Sequence, residues 1–113
     1  MRLVGLGVVL VSLAGCVTEG PKVTAPRAAE IAAGRQIAEA HCSSCHAIGL
    51  TDESRHPLAP PFRVLDEHYP LVALEEALAE GILVGHSDMP PFEFEPAEID
   101  QLIAYLTSVQ RAR

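Results

Sequence analysis

Residues 42–46 read Cys-Ser-Ser-Cys-His, and no other stretch constrains the chain as much. Two thiols two residues apart fall within one turn of backbone, and a histidine follows directly. That spacing suits covalent attachment of a c-type haem. One turn presents the sulfurs of Cys42 and Cys45 to the two vinyl groups on one edge of a porphyrin. His46 is then directed at the iron as its proximal ligand. The competing reading is a redox-active dithiol, which belongs in a strand–helix setting beside a sheet. No alternating apolar strands flank the motif, and a dithiol leaves His46 without a role. Size points the same way. The chain has 113 residues, no Trp and only 4% aromatics, so its core rests on Leu, Ile, Val and Ala. A domain this small is marginal on buried area alone, and a macrocycle held inside it supplies the missing apolar surface.

The N-terminus is a targeting segment rather than part of that domain. Met1 and Arg2 give a short positive start, residues 3–13 are almost wholly apolar, and Leu13-Ala14-Gly15-Cys16 follows. This run resembles the lipobox of bacterial lipoproteins, in which the cysteine is lipidated and the signal is cut just before it. An uncleaved helical anchor is the alternative, but residues 3–17 fall short of the roughly 20 that a membrane span needs. An ordinary cleaved signal, with Cys16 carrying no function, is the other. The expected organisation is therefore a signal peptide at 1–15, a lipidated Cys16 with a flexible tether to residue 27, and a domain over 28–113. Ten tether residues reach roughly 30 Å when extended. Of the three cysteines, one goes to lipid and two to haem, which leaves none for a disulfide.

Hydrophobic spacing then places the elements. Residues 27–41 are Ala-rich and helix-forming, with Ile31, Gly34 or Arg35, Ala38 and Cys42 on one face. Gly34 weakens a helix interior by about 1 kcal/mol relative to Ala, which suggests a close helix crossing. Residues 47–62 carry Gly49, Pro57, Pro60 and Pro61 and read as a loop. A short helix near 62–67 precedes a better one over 71–81, with Leu71, Leu74 and Leu78 at helical spacing and Glu75, Glu76 and Glu80 on the solvated side. Residues 84–92 form a second loop around Met89-Pro90, with His86 expected at its surface. Residues 96–110 close the chain as a helix with Pro96 in its first turn and an apolar stripe of Ile99, Leu102, Ile103, Leu106 and Val109.

With these pieces in view, residues 28–110 resemble the class I cytochromes c. The resemblance rests on Cys42-Ser43-Ser44-Cys45-His46, on Gly34 at the family distance before Cys42, on Met89-Pro90, and on Leu102-Ile103-Ala104-Tyr105-Leu106 in the last helix. It implies an all-α fold wrapped around one covalent haem c. It implies that Met89 is the second axial ligand, that Tyr105 meets Gly34 where the terminal helices cross, and that a loop proline carbonyl accepts the other ring N–H of His46. Pro57 is the best match for that proline. The family commonly has an aromatic where this chain has Ala38, and Ile37 is the nearest substitute. A histidine on the iron in place of Met89 is the competing ligand set and gives a lower potential.

The net charge is −7 without any Lys/Arg cluster, which argues against nucleic acid and against electrostatic binding to anionic lipid. The expected function is one-electron outer-sphere transfer through a six-coordinate His46/Met89 haem, with no small-molecule substrate and no catalytic residue. Its partners are redox proteins of the bacterial periplasm. The domain is tethered by its lipid outside the inner membrane, and Val17 after the lipidated cysteine favours the outer membrane. The alternatives are an open or His-ligated iron that senses gas or peroxide, and a subunit of a larger oxidoreductase.

Overall fold

The computed structural model describes residues 24–81 and 86–111. The expected signal peptide, Cys16 and most of the expected tether lie outside these residues. Four α-helices and one 3₁₀ turn make up the described fold: α1 (Ala25–His41), the 3₁₀ turn (Phe62–Val64), α2 (Leu65–His68), α3 (Leu71–Glu80) and α4 (Pro96–Val109). No strand occurs among the described residues, so the expected all-α class holds. None of the described helices is long and apolar enough to cross a membrane.

α1 begins at Ala25, inside the stretch expected to be tether. The reason is Pro26, read as a loop residue but placed here in the first turn, where a missing N–H costs nothing and the fixed φ favours helix. The Ala28 N–H donates to the Thr24 carbonyl at 2.9 Å and closes that turn. Exposed pairs Arg27–Glu30 and Arg35–Glu39, at 3.3 and 2.8 Å, line the outer face. Each adds a few tenths of a kcal/mol at most. The inner face buries Gly34 and Ala38.

α4 is the partner of that face. Its N-terminus is closed by the Glu98 carboxylate, which accepts the Glu95 N–H at 2.9 Å. Ile99, Leu102, Leu106 and Val109 are buried, as the apolar stripe anticipated, and so is Tyr105, while Ile103 of the stripe is half-buried. α1 and α4 cross at Gly34. A Cβ there would fall on the Gln101 carbonyl oxygen, 2.5 Å from its carbon and 2.9 Å from the Tyr105 Cβ. Only a residue without a side chain allows the approach, and Tyr105 sits at the crossing as expected. Leu74 and Leu78 of α3 complete the core with Phe62. α3 stops at Gly81, whose φ of 67° is the left-handed conformation glycine adopts freely.

The tail of α4 fastens the middle of the chain. The Gln110 side chain accepts the Asp66 N–H at 3.0 Å and donates to the carbonyls of Phe62 and Leu106, both at 2.7 Å. The Arg111 N–H reaches the Arg63 carbonyl at 2.9 Å. The terminal helices thus clamp one side of the fold and leave the loops at 42–61 and 86–95 facing each other on the other.

Candidate haem site

α1 ends at His41, directly before the Cys-Ser-Ser-Cys-His motif, with Cys42 as its cap, and so sets the motif's orientation. The Cys42 and Ser43 amides both donate to the Ala38 carbonyl, at 2.9 and 3.1 Å. The Cys45 and His46 amides then both donate to the Cys42 carbonyl, at 3.1 and 2.9 Å. The motif is therefore one further tight turn, with His46 directly after it. Cys42 and Cys45 are both half-buried free thiols. Burial, with Cys45 alongside, pushes the Cys42 thiol up to about 11.

The following loop folds back over this turn. The carbonyl of Cys45 accepts two amides, from Arg55 at 3.0 Å and His56 at 3.1 Å. Asp52 caps the bend by accepting the Ile48 and Gly49 amides at 3.1 and 2.9 Å. The buried Arg63 guanidinium donates to the Asp52 carbonyl, and the Tyr105 hydroxyl donates to the Ile48 carbonyl at 2.8 Å. The Phe62 amide closes the loop on the Ala47 carbonyl at 2.8 Å.

This path brings the carbonyl of Pro60 to 2.8 Å from His46 Nδ1. The expectation of Pro57 is corrected here. Pro57 sits on an exposed turn that the Ala59 N–H closes on the His56 carbonyl at 3.1 Å, and the chain reaches the His46 ring only three residues later. Pro61 explains the choice, because a residue before proline is pushed to extended backbone and its carbonyl is left free to face the ring. A carbonyl can only accept, so Nδ1 carries the proton and Nε2 is left with its lone pair. That is the tautomer a metal-ligating histidine uses. Burial, and then the nearby His86 and His56, hold the imidazole below its ordinary value, the Pro60 hydrogen bond acting the other way. It is neutral near pH 7, as ligation requires.

His46 opens onto a cleft with two lobes. One lobe is walled by Cys42, Cys45, Met89, Pro90 and Phe92. The other is apolar, formed by Pro60, Leu65, Tyr69, Leu74 and Met89. Met89 lines both. Its loop is braced by the Met89 amide donating to the His86 carbonyl at 3.1 Å. His86 was expected at the surface but is half-buried, with both ring nitrogens shielded. Its ring packs 5.9 Å from that of His46 and stacks on His56 at 5.3 Å and 13°. His56 Nδ1 accepts the Leu58 N–H at 3.2 Å, and Nε2 lies 3.2 Å from the Asp88 carboxylate. A polar residue in a Gly/Ser/Asp-rich loop gives no local sign of burial, since loops contribute to a core only through the residues they face. His41 stands at the cleft mouth, edge-on to Phe92 and Phe94 at 6.0 and 5.5 Å.

The donor set fits a covalent haem and little else. Two thiols and a tautomer-fixed histidine border an apolar slot, whereas no group of three or more His, Cys, Asp or Glu among the described residues could hold a bare metal ion. An all-α fold closed by a terminal helix pair, with this motif at the end of its first helix, defines a c-type cytochrome domain. The chain belongs to the family described as cytochrome c oxidase, cbb3-type, subunit III, which matches residues 29–106. Domains of this family bind a covalently attached haem c with its iron and serve in electron transfer. No match was found among the curated proteins or among the solved structures.

Proposed function

We propose that the domain is a monohaem electron carrier of class I type, in which Cys42 and Cys45 hold the haem and His46 and Met89 ligate its iron. The observation that carries this reading is the fixed tautomer of His46, whose Nε2 is left free in a cleft that Cys42 and Cys45 wall on one side and Met89 on another. When bound, the haem supplies a one-electron couple whose potential a thioether ligand raises. The protein's part is to orient. The Pro60 carbonyl fixes the His46 ring and increases its basicity, Leu65, Tyr69 and Leu74 exclude water, and the Met89 loop presents its sulfur. In this reading the domain transfers electrons and catalyses no bond chemistry; the His56–Asp88 contact at 3.2 Å, at the edge of the cleft, braces the Met89 loop. Exchange takes place with redox proteins at the cleft mouth, beside Cys42 and Phe92.

The test is optical. Ferric protein is expected to show the weak far-red band of Met–iron ligation, Met89→Ala to lose it, and reduced wild type to leave carbon monoxide unbound. A wild type that lacks the band, or that takes carbon monoxide readily, refutes the closed His/Met carrier. The carrier is lipidated on Cys16 and works outside the inner membrane, at the outer membrane by the Val17 rule. Cys16→Ser is expected to release it from membranes, and persistent membrane association after correct signal removal overturns the anchor.

The family's description favours a second reading, in which the same domain is the fixed subunit of a respiratory oxidase. Gentle detergent extraction and native sizing separate the two: a free carrier runs as one small species, and a subunit co-migrates with its complex.

A further inference from the structure

We infer that His86 is a second distal ligand, held in reserve to take the iron when Met89 leaves it. The inference rests on the haem site proposed above and adds to it a residue and a second ligation state. Three residues border both lobes of the cleft: His46, Met89 and His86. The first two are the proposed axial pair, so the third occupies the same central position without an assigned task.

Its ring spacing fits that task. Imidazole–metal bonds of about 2 Å on either side of one ion put the two ring centres about 6 Å apart. The His46 and His86 centres are 5.9 Å apart. The ring is also chemically idle. Both nitrogens are buried, and neither has a hydrogen-bond partner among the described residues. A neutral imidazole has one N–H and one lone pair, and a buried polar group left unpaired is strongly disfavoured. The protein nevertheless fixes the ring, because His56 stacks on it. His56 is held in turn by the Leu58 N–H and the Asp88 carboxylate. A half-buried ring that is oriented, with both nitrogens shielded and unsatisfied among the described residues, is built to meet a group that enters the cleft beside the proposed proximal ligand.

Loop geometry makes exchange simple. His86 and Met89 are the two ends of one turn, closed by the Met89 amide on the His86 carbonyl. A small rotation of that turn withdraws one side chain and advances the other. The two donors differ in kind, since thioether is the softer and imidazole the harder ligand. The exchange converts a high-potential His/Met iron into a low-potential bis-histidine iron that stays closed to small ligands.

The test removes the ligands singly and together in the haem-loaded protein, with Met89→Leu chosen because it nearly conserves volume. Ferric spin state is read by absorption and electron paramagnetic resonance, and helicity by circular dichroism. M89L is expected to lose the far-red band yet remain low-spin, with its potential lowered. M89L/H86A is expected to become high-spin and to bind carbon monoxide when reduced. A high-spin M89L overturns the proposal, and so does a double variant that stays low-spin, which would mean another ligand. A His86 that only hydrogen-bonds a haem propionate gives that high-spin M89L. Wild type offers a check without any change at position 89. Mild guanidinium is expected to remove the far-red band before the low-spin spectrum, and in H86A the two should vanish together; no difference between them overturns the inference. A wild type lacking the band that turns high-spin on H86A alone refutes Met89 as resident ligand while leaving His86 on the iron.

Discussion

Replacing Gly34 by alanine opposes two well-defined effects at one atom. Alanine is the better helix former by about 0.8–1 kcal/mol, so on propensity alone α1 would gain. The added Cβ, however, lands on the Gln101 carbonyl, 2.5 Å from its carbon and 2.9 Å from the Tyr105 Cβ. Neither neighbour can swing aside. One is backbone inside α4, and the other is the root of a side chain whose hydroxyl is tied to the Ile48 carbonyl at 2.8 Å. α4 must therefore retreat as a body and loosen the core that its Leu102 and Leu106 share with Ala38 of α1. Overpacking in a well-filled core costs about 1–3 kcal/mol even where side chains yield, and here backbone has to move. A net loss of about 2 kcal/mol follows once the propensity gain is subtracted. For a domain of this size each kcal/mol lowers Tm by about 4–8 °C, so the melt of the haem-loaded protein should shift down by roughly 8–16 °C. Far-ultraviolet circular dichroism measures it directly. An unchanged or higher Tm would show that the helices do not cross at Gly34 and would refute the reasoning.

Gln110→Ala should cost about 1–3 kcal/mol, because the Asp66 amide and the Phe62 carbonyl lose their partner away from bulk water; denaturant titration reads it, and a loss under half of that would argue against the clamp. Tyr105→Phe removes one hydrogen bond to the loop after the motif and should cost about 1 kcal/mol. Amide exchange over residues 48–54 should rise in that variant more than elsewhere. On pH, His46 is held below its usual 6.5, so the unfolded chain takes up a proton that the folded one refuses. Stability is therefore full above 6.5 and falls as pH drops below it, and iron on Nε2 acts with the same sign. A denaturation midpoint that held steady or rose on going from about pH 7.5 to about pH 5.5 would contradict that sign.

The parts of the fold that were legible in the sequence are those governed by local pattern. Gly34 and the stripe from Ile99 to Val109 announce a helix pair because helical spacing puts the small and the apolar residues on facing sides. The Cys42–His46 turn is legible because its chemistry needs that spacing. Pro60 was not distinguishable from Pro57, since a backbone carbonyl has no side-chain signature and the answer depends on where the loop runs. Only the double acceptor at Cys45 and the closure of Phe62 on Ala47 decide it. His86 was misread for a related reason: its burial comes from His46 and His56, residues thirty or more positions away. Arg63 and Gln110 escaped notice as well, because a buried guanidinium or amide is justified only by carbonyls that tertiary structure delivers.

The half-buried Cys42 at the end of α1 fixes an order of events. With its thiol raised to about 11, only about one molecule in ten thousand carries the reactive thiolate near neutral pH. The helix that completes the fold around it, α4, begins more than fifty residues further along the chain. A thioether at Cys42 is thus far easier to form on the extended polypeptide than on the finished domain. Haem attachment at Cys42 is therefore expected to precede the docking of α4 on Gly34.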